Sequence, residues 1–170
     1  MKKRGWILLA FFFLLLDIGI KFGVYKFIPK ISFLYPDYPF GGIGVWKDFF
    51  GTSFVITYVQ NLGAAWGSFS AYSSYLLILR IIIVSFLIGY LFFQKKKKIR
   101  FAPILMIITG AIGNILDFFF YGHVIDMFYF TFWKYSYPVF NLADILIVLG
   151  VVWLFLLSCK TKKTKFSHEN

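Results

Sequence analysis

The sequence predicts a membrane all-α bundle of four transmembrane helices with a small extracytoplasmic β-sheet region, in a single integral membrane domain over 1–170. Three observations lead there. Of its residues 60% are hydrophobic and the mean hydropathy is +0.78, too apolar for a soluble domain of this size. The net charge of +11 is gathered at the ends of apolar runs: Lys2, Lys3 and Arg4; Lys95 to Lys98 with Arg100; Lys160, Lys162, Lys163 and Lys165. That is the positive-inside pattern. It places both termini and the middle loop in the cytoplasm, and no nucleic-acid partner is expected because the basic residues form no binding face. Finally, one stretch between the first two runs has strand rather than helix periodicity.

MKKRGWILLAFFFLLL has the charged start and apolar core of a secretory signal peptide, but no small-x-small cleavage site follows and apolarity continues to about Ile28. It is therefore an uncleaved span over about 5–28, running outward. Asp17 and Lys21 share a helix face at i, i+4, the acid-before-base order that favours an ion pair. At 1.5 Å per residue from Gly5, Asp17 lies roughly 18 Å in, towards the outer side. A self-satisfied pair and a direct substrate contact both fit it.

From about 29 to 70 the helix period is lost, and Pro29, Pro36, Pro39, Gly41, Gly42 and Gly44 punctuate the chain. SFVITYVQN alternates and is rich in β-branched and aromatic residues, a strand that needs partners, for which IGVW and FYFTF are the candidates. With residues 122–137 this forms the expected extracytoplasmic β-region. The strand leads to Asn61, Gly63, Ala64, Ala65 and Gly67, where small residues allow close backbone approach and Asn61 offers a donor and an acceptor to an extended peptide. The same residues also suit helix packing.

The second span, about 72–93, runs inward and carries Arg80 near its middle, a position that demands an acidic partner or a snorkelling route, the partner being the expected one. The third, about 101–121, runs outward; Gly110 and Gly113 permit close packing, and Asn114 and Asp117 arrive near its outer end. His123 reads as a surface-turn histidine, because His168 is the sole other histidine and a zinc site lacks ligands. The fourth span, about 138–159, starts at Pro138 and returns inward. Cys159 at its end is an inert thiol with no partner for an intramolecular disulfide.

Gly113 to Asp144 is the chemically dense stretch. Three carboxylates, Asp117, Asp126 and Asp144, and two carboxamides, Asn114 and Asn141, stand among residues apolar enough for lipid. Ionisable groups at membrane depth are rare and usually in use. Asp126 in VIDM follows an apolar helix-like run and Asp144 lies about two turns inside the next, whose start Pro138 fixes; antiparallel helices joined by a short loop bring such positions face to face. Two adjacent carboxylates cannot both ionise easily and share a proton, giving an acid and a base at once. The plainer arrangement has Asp126 facing solvent and Asp144 packed against Asn141.

The runs NLGAAWG, GNILD, VID and FNLAD, in this order, resemble the lipoprotein signal peptidases (type II signal peptidases), integral membrane aspartic proteases; the resemblance extends from Asp17 to about Gly150. It implies that Asp126 and Asp144 are the catalytic pair. Asp17, Lys21, Asn61, Gly63, Asn114 and Asn141 would bind or orient substrate, and the extracytoplasmic sheet would cradle it. The implied substrate is a prolipoprotein whose cysteine carries diacylglyceryl, cleaved just before that cysteine near the outer leaflet of the bacterial inner membrane, with no metal or organic cofactor. Three positions depart from the family pattern: Ile18 where Gln usually follows the acid, Trp66 for Phe, and Phe118 for the Arg that usually follows Asp117. The last departure leads to an expected structural ion pair between Arg80 and Asp117, with Asp17 as second choice for Arg80. The main rival is a small proton-coupled transporter using Asp17, Lys21, Asp117, Asp126 and Asp144 as a relay, although these groups all project to the outer half. A non-catalytic lipoprotein-binding subunit is a third reading.

Overall fold

The computed structural model describes residues 2–31, 37–63, 70–93, 98–133 and 135–166. Pro36, the Ala64, Ala65, Trp66 and Gly67 stretch, the Lys95–Lys97 cluster and His168 lie outside the described residues. In chain order the elements are α1 (Lys3–Phe27), β1 (Ile43–Phe49), β2 (Thr52–Asn61), α2 (Ser73–Phe93), α3 (Phe101–Tyr121), β3 (Val124–Phe132), β4 (Tyr135–Ser136) and α4 (Leu142–Phe166). All four helices are long and apolar enough to cross a membrane. Their large side chains point outward, with Leu8, Phe11, Phe86 and Phe155 exposed, as suits a lipid solvent in which helices satisfy their own backbone groups.

Helix α3 is the hub, packing against α1, α2 and α4. Small residues make this possible. A Cβ added at Gly110 would run into the Ala143 carbonyl oxygen and the Ile147 side chain, and one at Gly113 would meet the Asp17 carboxylate. Gly110→Val is therefore expected to destabilise the protein by about 1–3 kcal/mol, the usual cost of overpacking. Gly89→Ala is the control, because a Cβ there meets nothing within 4 Å. Thermal unfolding in detergent distinguishes the two.

At one end of the bundle lies an antiparallel sheet in the order β1-β2-β3-β4. Its first hairpin closes through Phe50 and Gly51, both at positive φ (51° and 73°), the geometry that matches strand twist. The expected partners of SFVITYVQN are the ones it finds: Ile43 pairs with Ile56, and Phe54 with Phe130. Ile125 and Met127 on β3 pack with Val24 of α1, Ile28 just beyond its end and Tyr58 of β2, which seats the sheet on the bundle.

Helix α3 ends at Gly122, whose left-handed φ of 76° lets its N–H reach the Phe118 carbonyl oxygen. The chain then enters β3 within two residues. The fourth helix starts later than Pro138. Phe140 still exchanges backbone hydrogen bonds with Phe128, and the helix begins at Leu142 because Asn141 caps it. Asp144 consequently lies in the first turn of α4, not two turns inside.

Candidate functional site

Asp126 and Asp144 meet strand to helix rather than helix to helix. Asp126 is on β3, with Val59 of β2 opposite it and Asn61 opposite Val124, so Asn61 and Asp126 are diagonal neighbours. Asn61 Nδ2 donates to Asp126 Oδ2 at 2.8 Å, and Asn61 Oδ1 accepts from the Gly63 N–H at 2.9 Å. From the opposite side Asn141 Nδ2 donates to Asp126 Oδ1 at 2.7 Å. Both carboxylate oxygens of Asp126 are thus held by amides.

Asn141 and Asp144 form a reciprocal cap. The Asp144 N–H donates to Asn141 Oδ1 at 2.9 Å, and the Asn141 N–H donates to Asp144 Oδ2 at 3.2 Å. This is the capping box written N-x-x-D in FNLAD, with the acid in the favourable first turn of the helix. The plainer expectation of Asp144 against Asn141 is therefore present, but Asn141 bonds Asp126 with the same carboxamide. Asn114 completes the frame, donating through Nδ2 to Asp144 Oδ1 at 2.8 Å and accepting from Asn141 Nδ2 at 3.1 Å.

Beneath this frame lies a second charge cluster. Lys21 is fully buried, with Nζ 2.7 Å from Asp17 Oδ2, 2.7 Å from Asp117 Oδ2 and 3.1 Å from Asn114 Oδ1. The i, i+4 pair expected on α1 is present. It also does more, because Asp17 Oδ1 accepts the Ala143 N–H at 3.0 Å and so caps α4 from another helix. Asp117 further accepts the Ile125 N–H at 3.3 Å, tying α3 to β3.

The expected Arg80–Asp117 pair does not form. Asp117 already has its cation in Lys21, which reaches it from α1. Arg80 instead donates through Nη2 to the Gly63 carbonyl oxygen at 2.8 Å and lies over the Phe118 ring, 5.5 Å from its centroid. Nor does it pair with Asp17, whose cation is again Lys21. His123 also differs from expectation. It is buried, with Nε2 2.8 Å from the Tyr58 hydroxyl and 3.1 Å from Gln60 Nε2. Burial, with the Lys30 charge nearby, holds its imidazole below the usual histidine range. Cys159 is exposed.

Two cavities reach the acids. One of about 340 Å³ is lined by Gln60, Asn61, Asp126, Ser136 and Tyr137 among others; the second, about 210 Å³, is lined by Tyr137, Phe140, Asp144, Ile145, Val148 and Leu149. Asp126 is only 2% exposed, whereas Asp144 is half-buried. Burial first, and the neighbouring Asp144 charge second, push the Asp126 carboxyl up to about 7. The pair can therefore hold one proton and one negative charge near neutral pH.

Four apolar helices, a sheet at one end and polar groups concentrated where they meet make this a membrane-embedded protein with an internal polar site. The fold is that of bacterial membrane enzymes: one, solved by the in meso method at 2.3 Å, aligns with a TM-score of 0.79 and 27% identity over 95% of this chain and 92% of that one. A second, at 1.9 Å, has the same fold with a TM-score of 0.71. The chain belongs to the signal peptidase II family, whose profile, described as signal peptidase (SPase) II, matches residues 9–160. It is 36% identical to the lipoprotein signal peptidase of Chlamydia felis (strain Fe/C-56) over 169 residues, 95% of this chain and 96% of that protein. To the lipoprotein signal peptidase of Chlamydia pneumoniae it is 43% identical over 104 residues, 60% of this chain and 62% of that protein. The corresponding protein of Lactococcus lactis subsp. cremoris (strain SK11) is 37% identical over 121 residues, 71% of this chain and 77% of that one. The protein is thus a multi-pass bacterial membrane peptidase.

Proposed function

We propose that this peptidase is an aspartic endopeptidase that removes the signal peptide from prolipoproteins by cutting before the diacylglyceryl-modified cysteine. The observation that carries the reading is the Asp126–Asn141–Asp144 linkage beside the cavities, in which one residue holds both carboxylates, Asp126 through its carboxamide Nδ2 and Asp144 through its backbone N–H. In this mechanism the half-buried Asp144 takes a proton from a water, which attacks the scissile carbonyl. Asp126 supplies a proton to the leaving amine. Asn114 and Asn141 keep the two carboxylates aimed, and Asn61 holds Asp126 from the strand side. The groove beside Asp144 ends in Ile145, Val148 and Leu149, apolar surface suited to the acyl chains on the cysteine.

Incubating purified protein with a lipid-modified precursor should release the signal peptide, and chelator should leave the rate unchanged. Product cut elsewhere than before the cysteine would reject the assignment. The roles also fix a pH dependence. A carboxyl raised to about 7 stays protonated below that pH and loses its proton above it. Because Asp126 acts as the acid, kcat/KM should hold up to about pH 7 and fall tenfold per pH unit above it, reporting an apparent pKa of the pair. A rate that climbs through pH 7 to 9 would reverse the roles.

The transporter reading places an acidic relay through the membrane, but Asp17, Asp117, Asp126 and Asp144 all gather in one layer at the sheet end. That layer supports a local reaction site. We place this end near the outer leaflet, with both termini cytoplasmic, on the strength of the basic clusters. Reporter fusions at Gly42 and Tyr135 should read external, and one after Lys165 cytoplasmic. A cytoplasmic reading at Gly42 would overturn the orientation.

A further inference from the structure

Arg80 takes no part in the chemistry above, yet it sits on α2 between apolar residues, with Leu79, Ile81 and Ile82 exposed towards lipid. A guanidinium kept in such a place is costly and usually in use. Its partners are specific. Nη2 donates to the Gly63 carbonyl oxygen at 2.8 Å, and the Phe118 ring supports the planar group from one face. Nη1 is buried and has no hydrogen-bond partner among the described residues. Buried donors in folded proteins are nearly always paired, and an arginine fork has a second direction in which to bond.

The place where this donor sits gives it a use. Gly63 is two residues beyond Asn61, whose Nδ2 holds Asp126 and whose Oδ1 holds the Gly63 N–H. The Asn61–Gly63 turn is thus clamped between Asp126 and Arg80. Gln60 and Asn61 line the cavity at Asp126, so a peptide crossing from there to Asp144 runs alongside this turn.

Resting on the peptidase reading, we propose that Arg80 is a substrate-binding residue: Nη2 locks the Asn61–Gly63 turn, and Nη1 donates to a backbone carbonyl of the peptide lying across Asp126 and Asp144. The substrate feature it recognises is main chain and not side chain, so it serves precursors of different sequence. Lysine cannot replace it, because a single ammonium does not reproduce the two directed bonds of the fork.

The test uses the full-length protein in lipid-containing detergent with a diacylglyceryl-modified precursor peptide. Arg80→Lys should keep the wild-type melting temperature while KM rises about 10- to 100-fold and kcat changes by less than about 3-fold, the signature of lost ground-state binding. Arg80→Leu should lose at least as much kcat/KM. Binding of the same peptide to Asp126→Asn, with and without Arg80→Lys, reads peptide holding without turnover; the second change should weaken it by a similar factor. Wild-type KM and unchanged peptide affinity in Arg80→Lys would overturn the proposal. So would a loss confined to kcat, or an Arg80→Leu defect that only tracks the loss of folded protein. Wild-type protein that binds but does not cleave the precursor would reject the endopeptidase reading instead.

Discussion

Asp126→Asn and Asp144→Asn should each lower turnover of the lipid-modified precursor by at least about 10³-fold, because a neutral amide cannot exchange the proton on which general acid–base catalysis depends. The substitutions are nearly isosteric, so the defect should be chemical rather than structural. Asp126 accepts from Asn61 on one oxygen and from Asn141 on the other. An Asn there keeps one acceptor and turns a donor towards another donor, a loss of about 1–3 kcal/mol. Folded protein should be recovered in both cases. Asp144→Asn also retains an acceptor for the Asn141 N–H, so the cap of α4 survives. Because both acids serve one proton-transfer cycle, the double variant should be scarcely worse than either single one. Measuring single-turnover cleavage alongside melting temperature separates chemistry from folding. A single variant that keeps a tenth of the wild-type rate would take that residue out of the mechanism.

Much of this architecture was legible because membrane sequences announce their elements by length, apolarity and flanking charge. The four helices, the small sheet and the pairing of SFVITYVQN with IGVW and FYFTF follow from period and composition. The contacts between polar groups were less legible, for a physical reason. Periodicity says which face of a helix a residue occupies but not which other helix turns towards that face. Arg80 and Asp117 are at compatible depths, yet Lys21 arrives from α1 and takes Asp117 first. Phe118, an apparent loss of charge, serves as the ring beneath Arg80. A capping box was written in FNLAD from the start. Pro138 drew the helix start four residues too early, because a proline limits where a helix begins whereas a cap and a strand partner decide it. His123 looked like a turn residue because its hydrogen-bond partners Tyr58 and Gln60 are distant in sequence.

Lys21→Met should be the most destabilising single substitution in the protein. An ammonium has three donors, and here Lys21 Nζ lies within about 3 Å of oxygens from three residues, Asp17, Asp117 and Asn114. Removing it leaves two carboxylates facing each other across a buried site, Asp17 at 1% and Asp117 at 2% exposure. Breaking a buried ion pair typically costs about 3 to 5 kcal/mol, which is a large part of the 5–15 kcal/mol by which folded proteins are stable. Loss of one lysine that serves two acids should fall at or above the upper end of that range. Neutralising the acids should return much of it, so Lys21→Met with Asp17→Asn and Asp117→Asn should melt well above Lys21→Met alone. An asparagine at 17 still offers an oxygen to the Ala143 N–H, and one at 117 still offers an oxygen to the Ile125 N–H. The contrast lies in activity. Lys21 also anchors Asn114 Oδ1, and Asn114 aims Asp144, so the stabilised triple variant should remain slow even where it is fully folded. Melting temperatures in detergent and cleavage rates per folded molecule report the two effects separately. If Lys21→Met melts within a few degrees of wild type, the three-way cluster contributes little to stability. If the triple variant cleaves at the wild-type rate, the link from Lys21 through Asn114 to Asp144 is absent.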